Sequence, residues 1–130
     1  MKKPIFIRGK IFSGAGEGTK FTTLPWVKRQ IEEKLGFPPY PGTLNIRLLE
    51  DNASLRKLLA RIKGVEILPV EGYCLGKCFK ALLMKKVKCA IILPDVKGYP
   101  EDVIEIVAPV NLREKLKLKD GDIVEVTVTV

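Results

Sequence analysis

Apolar and polar residues alternate with a period near two over most of this chain, and that pattern predicts strands. Ile5, Ile7 and the run Ile11-Phe12 mark the first. A glycine-rich segment, Ser13-Gly14-Ala15-Gly16-Glu17-Gly18, follows, and Phe21 to Leu24 resumes a β-like pattern, so the glycines are expected to join strand to strand. The period then changes. Val27, Ile31 and Leu35 stand at i, i+4 and i+8 behind Pro25, which suits the first turn of a helix, and Gly36 closes that helix. Its apolar stripe faces a core. The segment Phe37-Pro38-Pro39-Tyr40-Pro41-Gly42 is irregular, because its prolines lack donors and fix the backbone.

A strand is predicted over Thr43 to Leu48. A second amphipathic helix carries Leu55, Leu58, Leu59 and Ile62 and is ended by Gly64. Strands then dominate, over Val65 to Val70, Tyr73 to Lys85, Lys88 to Leu93 and Val103 to Val107, with a loop at Asp95 to Glu101. Asn111 and Glu114 have capping-box spacing ahead of a short helix with Leu112 and Leu116. Lys119-Asp120-Gly121-Asp122 makes a turn, and Ile123 to Val130 alternates as a half-exposed strand. Six to eight short strands without repeat or linker predict a mainly β fold, a small closed barrel with a few short helices, and a single domain over residues 1–130.

Charge narrows the partners. Lys and Arg number 23 against 15 Asp and Glu, a net charge of +8 that attracts anions such as nucleic acid, acidic lipid or nucleotide phosphates. The absence of His removes Cys-His catalysis and His-based metal sites. Three cysteines give no paired framework, and Cys74 and Cys78 lie about 13 Å apart along a strand, beyond disulfide reach. They are expected to be reduced, buried residues. Arg8 and Lys10 interrupt the first apolar stretch, so no signal peptide is expected, and no run approaches the length of a membrane span. The expected location is the cytoplasm.

Four features could carry chemistry. The glycines of Ser13 to Gly18 could turn backbone amides onto a phosphate, although no Gly-Lys-Ser/Thr follows as a Walker motif requires, and a plain hairpin needs glycine too. Thr43 and Asn45, at i and i+2, share one strand face and offer two oxygens, suited to magnesium if a nucleotide supplies the charge; an exposed polar face would look the same. Glu105 shares a face with Val103 and Val107, so its carboxylate is either solvated or directed into a pocket. Ala108 to Arg113 brings a helix start and one Arg together, both of which favour anions. The run Lys80, Lys85, Lys86 and Lys88 reads as a solvated strand edge that opposes aggregation.

These features occur in one order: Gly-Ala-Gly-Glu-Gly, Leu35-Gly36-Phe37, Tyr40-Pro41-Gly42-Thr43-Leu44-Asn45, Glu105-Ile106-Val107-Ala108-Pro109, Leu112-Arg113-Glu114 and Leu118-Lys119-Asp120-Gly121-Asp122. That series, from about Ile7 to Val128, resembles the archaeal CTP-dependent riboflavin kinases. The middle, Asn52 to Lys88, matches mainly in pattern. The resemblance implies a six-stranded cradle-loop barrel, related in fold to DNA-binding regulators. It implies an enzyme that moves the γ-phosphoryl group of CTP to riboflavin, giving FMN and CDP. Carried over, Ala15, Gly16, Glu17, Gly18, Thr19 and Lys20 match the loop for the nucleotide phosphates. Val110, Asn111, Leu112 and Arg113 match a second nucleotide-contacting segment. Thr43 and Asn45 match the ligands of Mg2+, and Glu105 matches a flavin-contacting acid. Lys97 stands where the family often has a flavin-contacting Thr.

Glu105, in the absence of His, is the expected general base. The expected partners are CTP/CDP and riboflavin/FMN, with no membrane and no nucleic acid, and the expected state is a monomer. The rival class is a barrel-type DNA-binding transcription regulator. The charge and the Leu-Lys-Asp-Gly-Asp-Ile-Val-Glu-Val ending suit it, but no helix-turn-helix is expected ahead of the first strand, and the glycine run and the Thr-x-Asn pair have no task there. A third reading is a nucleotide- or flavin-binding module without turnover.

Overall fold

The computed structural model describes residues 4–14, 22–68, 76–94 and 98–129. Its strands are β1 (Pro4–Phe12), β2 (Leu44–Leu48), β3 (Val65–Ile67), β4 (Gly76–Leu83), β5 (Val87–Pro94), β6 (Val103–Val107) and β7 (Ile123–Thr129). Six of them pair antiparallel around a closed circuit, β4-β5-β6-β2-β1-β7 and back to β4. β3 stays outside because β4 divides one edge between two partners. Gly76 to Cys78 pair with β3, and Ala81 to Leu83 pair with β7. The fold is therefore the mainly β, closed six-stranded barrel expected from the alternation, with one additional strand. Its helices are α1 (Pro25–Leu35), α2 (Ala53–Arg61) and α3 (Leu112–Leu116), with a 3-10 turn at Glu50–Asn52 before α2.

The period of two sorts side chains into two cores. Inside the barrel, Ile7, Ile11, Leu44, Ile46, Ile91, Ile104, Ile106, Val124 and Val126 are buried together with Leu59 of α2 and Leu112 of α3. Outside it, Val27, Ile31 and Leu35 of α1 cover Ile67, Cys78, Ala90, Ile92 and Val107. β5 is buried on both faces, which explains its continuous apolar run. Gly9 faces the interior, where an added Cβ would lie 2.3 Å from Cγ2 of Ile46 and 2.7 Å from the carbonyl oxygen of Arg47. Only a residue without a side chain lets the second strand approach so closely.

Several local expectations change. Phe21 lies outside the described residues, and Thr22 and Thr23 are helical, not β-like. Leu24 caps α1, with the amides of Val27 and Lys28 donating to its carbonyl. α2 ends at Arg61, and Lys77 donates to the carbonyls of Ala60 and Ile62 at 2.8 and 2.9 Å. Gly64 is thus not a helix cap. It is needed because a Cβ there would come within 2.8 Å of the Cys78 carbonyl. Leu58 is exposed on α2, while Leu59 is fully buried. The strand expected to run on to Lys85 turns instead at Met84 and Lys85, both with positive φ. Lys86 N donates to Leu83 O within a three-residue loop, Met84 to Lys86, that joins the paired residues Leu83 and Val87.

Cys78 lies beneath α1 and Cys89 faces the barrel interior, and both are free and buried. Burial pushes each thiol up to about 12, opposed for Cys78 by the nearby Lys34 charge and for Cys89 by a backbone hydrogen bond from Leu83. Both remain protonated at neutral pH and should be unreactive, since the thiolate is the nucleophile. Iodoacetamide treatment of the native protein at pH 8, followed by peptide mapping, should leave Cys78 and Cys89 unlabelled; rapid labelling of either would contradict their burial. Cys74 lies outside the described residues.

Candidate functional site

β2 begins directly after the proline segment, and two hydrogen bonds set where it begins. Tyr40 N donates to the carbonyl of Ala108 at 2.8 Å, and Gly42 N donates to Oγ1 of Thr22 at 2.8 Å. Thr22 is 2% exposed, so this is a buried polar anchor and not a surface contact. Gly42 has a φ of 107°, a conformation that favours glycine, and it aims Thr43 away from the barrel interior. Leu44 and Ile46 then point inward, leaving Asn45 between them on the outer wall.

β6 pairs with β2 so that Asn45 lies directly opposite Glu105. Residues paired across a sheet share a face, so Thr43, Asn45 and Glu105 meet there. Thr43 Oγ1 donates to Glu105 Oε1 at 2.7 Å, and Tyr99 OH donates to Glu105 Oε2 at 2.5 Å. The carboxylate is thus half-buried and held at both oxygens. The Tyr99 hydroxyl is pushed above the usual tyrosine range, first by burial and then by its hydrogen bond to Glu105 and that residue's charge. It therefore stays a donor. On the other side, Asn45 pairs with Phe12, and Gly14 lies against its side chain. A Cβ on Gly14 would lie 2.4 Å from Nδ2 of Asn45. The first glycine of the run thus makes room for Asn45.

Thr43 also lines a cleft of about 180 Å³. Tyr40, Gly42 and Thr43 form one wall, and Val110, Asn111 and Arg113 form the other. Asn111 caps α3 by accepting from Glu114 N at 3.2 Å, and its Nδ2 reaches the Tyr40 hydroxyl at 3.4 Å. Arg113 donates to Asp120 Oδ1 at 2.7 Å and to the Phe12 carbonyl at 3.5 Å. Asp120 Oδ2 in turn accepts from Ser13 Oγ at 2.6 Å. The Ser13 hydroxyl and then Arg113 hold the Asp120 carboxyl below the usual range. One carboxylate therefore ties Arg113 of the cleft to the start of the glycine run.

Of the residues singled out from sequence, Thr43, Asn45 and Glu105 come together on one face. Thr43, Val110, Asn111, Leu112 and Arg113 come together around the cleft. Ala15, Gly16, Glu17, Gly18, Thr19, Lys20 and Lys97 lie outside the described residues. Thr22, Tyr99 and Asp120 were not singled out. Thr22 sat in a stretch read as strand, and Asp120 in one read as a turn and as part of the family series, with no role given to it. Tyr99 belongs to a loop with no periodicity. Among the described residues no group of three His, Cys, Asp or Glu is placed to hold a metal. No described helix is long and apolar enough to cross a membrane.

The family described as CTP-dep_RFKase, Domain of unknown function DUF120, matches residues 11–128. The chain belongs to this family. It is 42% identical over 123 residues to a riboflavin kinase of Methanosarcina barkeri, covering 89% of this chain and 53% of that one. It is 42% identical over 128 residues to a riboflavin kinase of Archaeoglobus fulgidus, covering 95% and 54%. A riboflavin kinase of Pyrobaculum aerophilum is 45% identical over 127 residues, covering 92% and 59%. The chain thus spans little more than half the length of these relatives.

Proposed function

We propose that this CTP-dep_RFKase member transfers the γ-phosphoryl group of CTP to a ribityl hydroxyl of riboflavin, giving FMN and CDP. The observation that carries this reading is the position of Thr43, which lines the cleft and also donates its hydroxyl proton to Glu105. One residue thereby joins a space bordered by Arg113 to a carboxylate able to accept a proton. The names of the relatives support riboflavin as acceptor. The choice of CTP rests on the family's label.

Phosphoryl transfer needs mainly positioning and charge neutralisation. In this reading Arg113 exchanges Asp120 for a phosphate oxygen, a bidentate-capable guanidinium being well suited to that anion. Ala15 to Lys20 cradle the phosphates, and Val110 to Leu112 complete the nucleotide wall. The ribityl oxygen bonds to the γ-phosphorus, the bond from that phosphorus to the β–γ bridging oxygen breaks, and CDP leaves with the electron pair. The hydroxyl proton passes to Glu105.

The residues fit Mg2+. Thr43 and Asn45 offer uncharged oxygens on one face, the donor class this ion takes alongside phosphates and water. Because Thr43 gives its proton to Glu105, the lone pairs of its oxygen are left for a cation. Bound there, the ion would offset charge on the phosphates. Glu105 and, from the resemblance, Lys97 are proposed as flavin-contacting residues.

Incubation with riboflavin, Mg2+ and each of the four nucleoside triphosphates tests the reading, with FMN followed by chromatography. FMN with CTP is expected. No FMN with any of them, together with salt-dependent retention of duplex DNA, would instead favour the regulator class. Gly14→Ala probes the same face. The added Cβ must displace the Asn45 amide, and FMN formation should fall about 10–100-fold, the usual cost of disturbing groups around a metal site. Activity within twofold of wild type would separate Asn45 from the reaction.

A further inference from the structure

Glu105 reaches its two donors from different parts of the molecule. Thr43 immediately precedes the neighbouring strand, whose ladder with β6 starts at Leu44, so the sheet holds it from one side. Tyr99 lies between β5 and β6, where no ladder holds it, so its ring needs another support. That support comes from α2. The Arg56 guanidinium stands over the Tyr99 ring, 5.1 Å from its centroid. Its Nε donates to the Val103 carbonyl at 2.6 Å. Val103 opens β6 two residues before Glu105. The contacts therefore close on themselves, from β6 to Arg56, from Arg56 to Tyr99, and from Tyr99 back to Glu105 of β6.

We propose that Arg56 and Tyr99 are positioning residues for phosphoryl transfer, a brace from α2 that fixes the plane of the Glu105 carboxylate against the acceptor hydroxyl. The inference rests on the reading of Glu105 as the proton acceptor. A carboxylate offers about four lone-pair sites. Thr43 and Tyr99 take one on each oxygen, and with both ends held the remaining sites point in fixed directions. A reacting hydroxyl then meets an acceptor that does not reorient, which is what preorganisation supplies. Tyr99 cannot relieve Glu105 of this task. It stays protonated in its half-buried setting and acts on Glu105 only as a donor. Arg56 touches neither Glu105 nor the cleft in any described contact, so its effect must pass through the Tyr99 ring and the β6 backbone.

The test is a double-variant cycle on FMN formation with thermal midpoints measured in parallel. Tyr99→Phe keeps the ring under Arg56 and removes only the hydroxyl. It should lower kcat about 10–100-fold, the range seen when a supporting hydrogen bond is removed, with KM for both substrates within twofold and the midpoint unchanged. Arg56→Met, which keeps the length of the stem, should lower kcat in the same direction. The double variant should be no worse than Tyr99→Phe alone, because residues acting through one contact do not add. Tyr99→Phe within twofold of wild type, or losses that multiply in the double variant, would overturn the brace while leaving the proposed function intact. A wild-type protein that forms no FMN removes the function and the brace together.

Discussion

Glu105→Gln is expected to lower kcat for FMN formation by about 10²–10⁴-fold, the usual contribution of a positioned proton acceptor. The substitution suits the question because it leaves the local geometry in place. The amide oxygen of Gln can still accept from Thr43, now at 2.7 Å from the carboxylate, and the Tyr99 hydroxyl can accept from the new NH2 group. The thermal midpoint should therefore change little. What is lost is the ability to take a proton from an attacking hydroxyl. Riboflavin binding, followed by quenching of its fluorescence, should be retained within a fewfold. Unchanged turnover with an unchanged pH profile would assign Glu105 to orientation alone and leave proton removal to solvent or phosphate.

The second large effect is on stability. Ile46 is fully buried at the centre of the barrel, on the strand that carries Asn45. Its Cγ2 occupies the space above Gly9, which has no side chain to move into a vacancy. Ile46→Ala should therefore lie toward the upper end of the roughly 2–5 kcal/mol typical of such truncations. That corresponds to a fall of about 10–20 °C in the unfolding midpoint for a domain of this size. Leu58→Ala, at a 43% exposed position, should stay within about 0.5 kcal/mol. Urea melts of both variants give the comparison, and a loss below 1 kcal/mol at Ile46 would mean that the barrel interior can collapse around the gap.

How much of this was legible in the sequence depended on whether the signal was local. The alternation at Ile5, Ile7 and Ile11, the stripe Val27, Ile31 and Leu35, and the turn at Asp120-Gly121 each depend on neighbours in sequence, and each was found where expected. The break between β4 and β5 was expected after Lys85 but falls at Met84 to Lys86, because pairing of β4 with β5 and β7 holds two non-glycine residues at positive φ. Thr22 and Thr23 looked β-like by residue type, but they are helical, and Thr22 is anchored from a distant segment by Gly42 N. At the site, the two-residue spacing of Thr43 and Asn45 announced a shared face. That Glu105 joins it depends on the β2–β6 register, which no local pattern contains. Tyr99, Arg56 and Asp120 were beyond reach for the same reason, since each acts on a residue from another element.

The alternation along β2 carries one more consequence. Leu44, Ile46 and Leu48 seal the interior, while Thr43, Asn45 and Arg47 face outward. A frame shift of a single position along this strand would send the amide of Asn45 into oil and bring isoleucine to the solvent side. Insertions or deletions of one residue here should therefore abolish folding and chemistry in the same stroke, whereas outward-facing substitutions can vary the reaction with the scaffold left untouched.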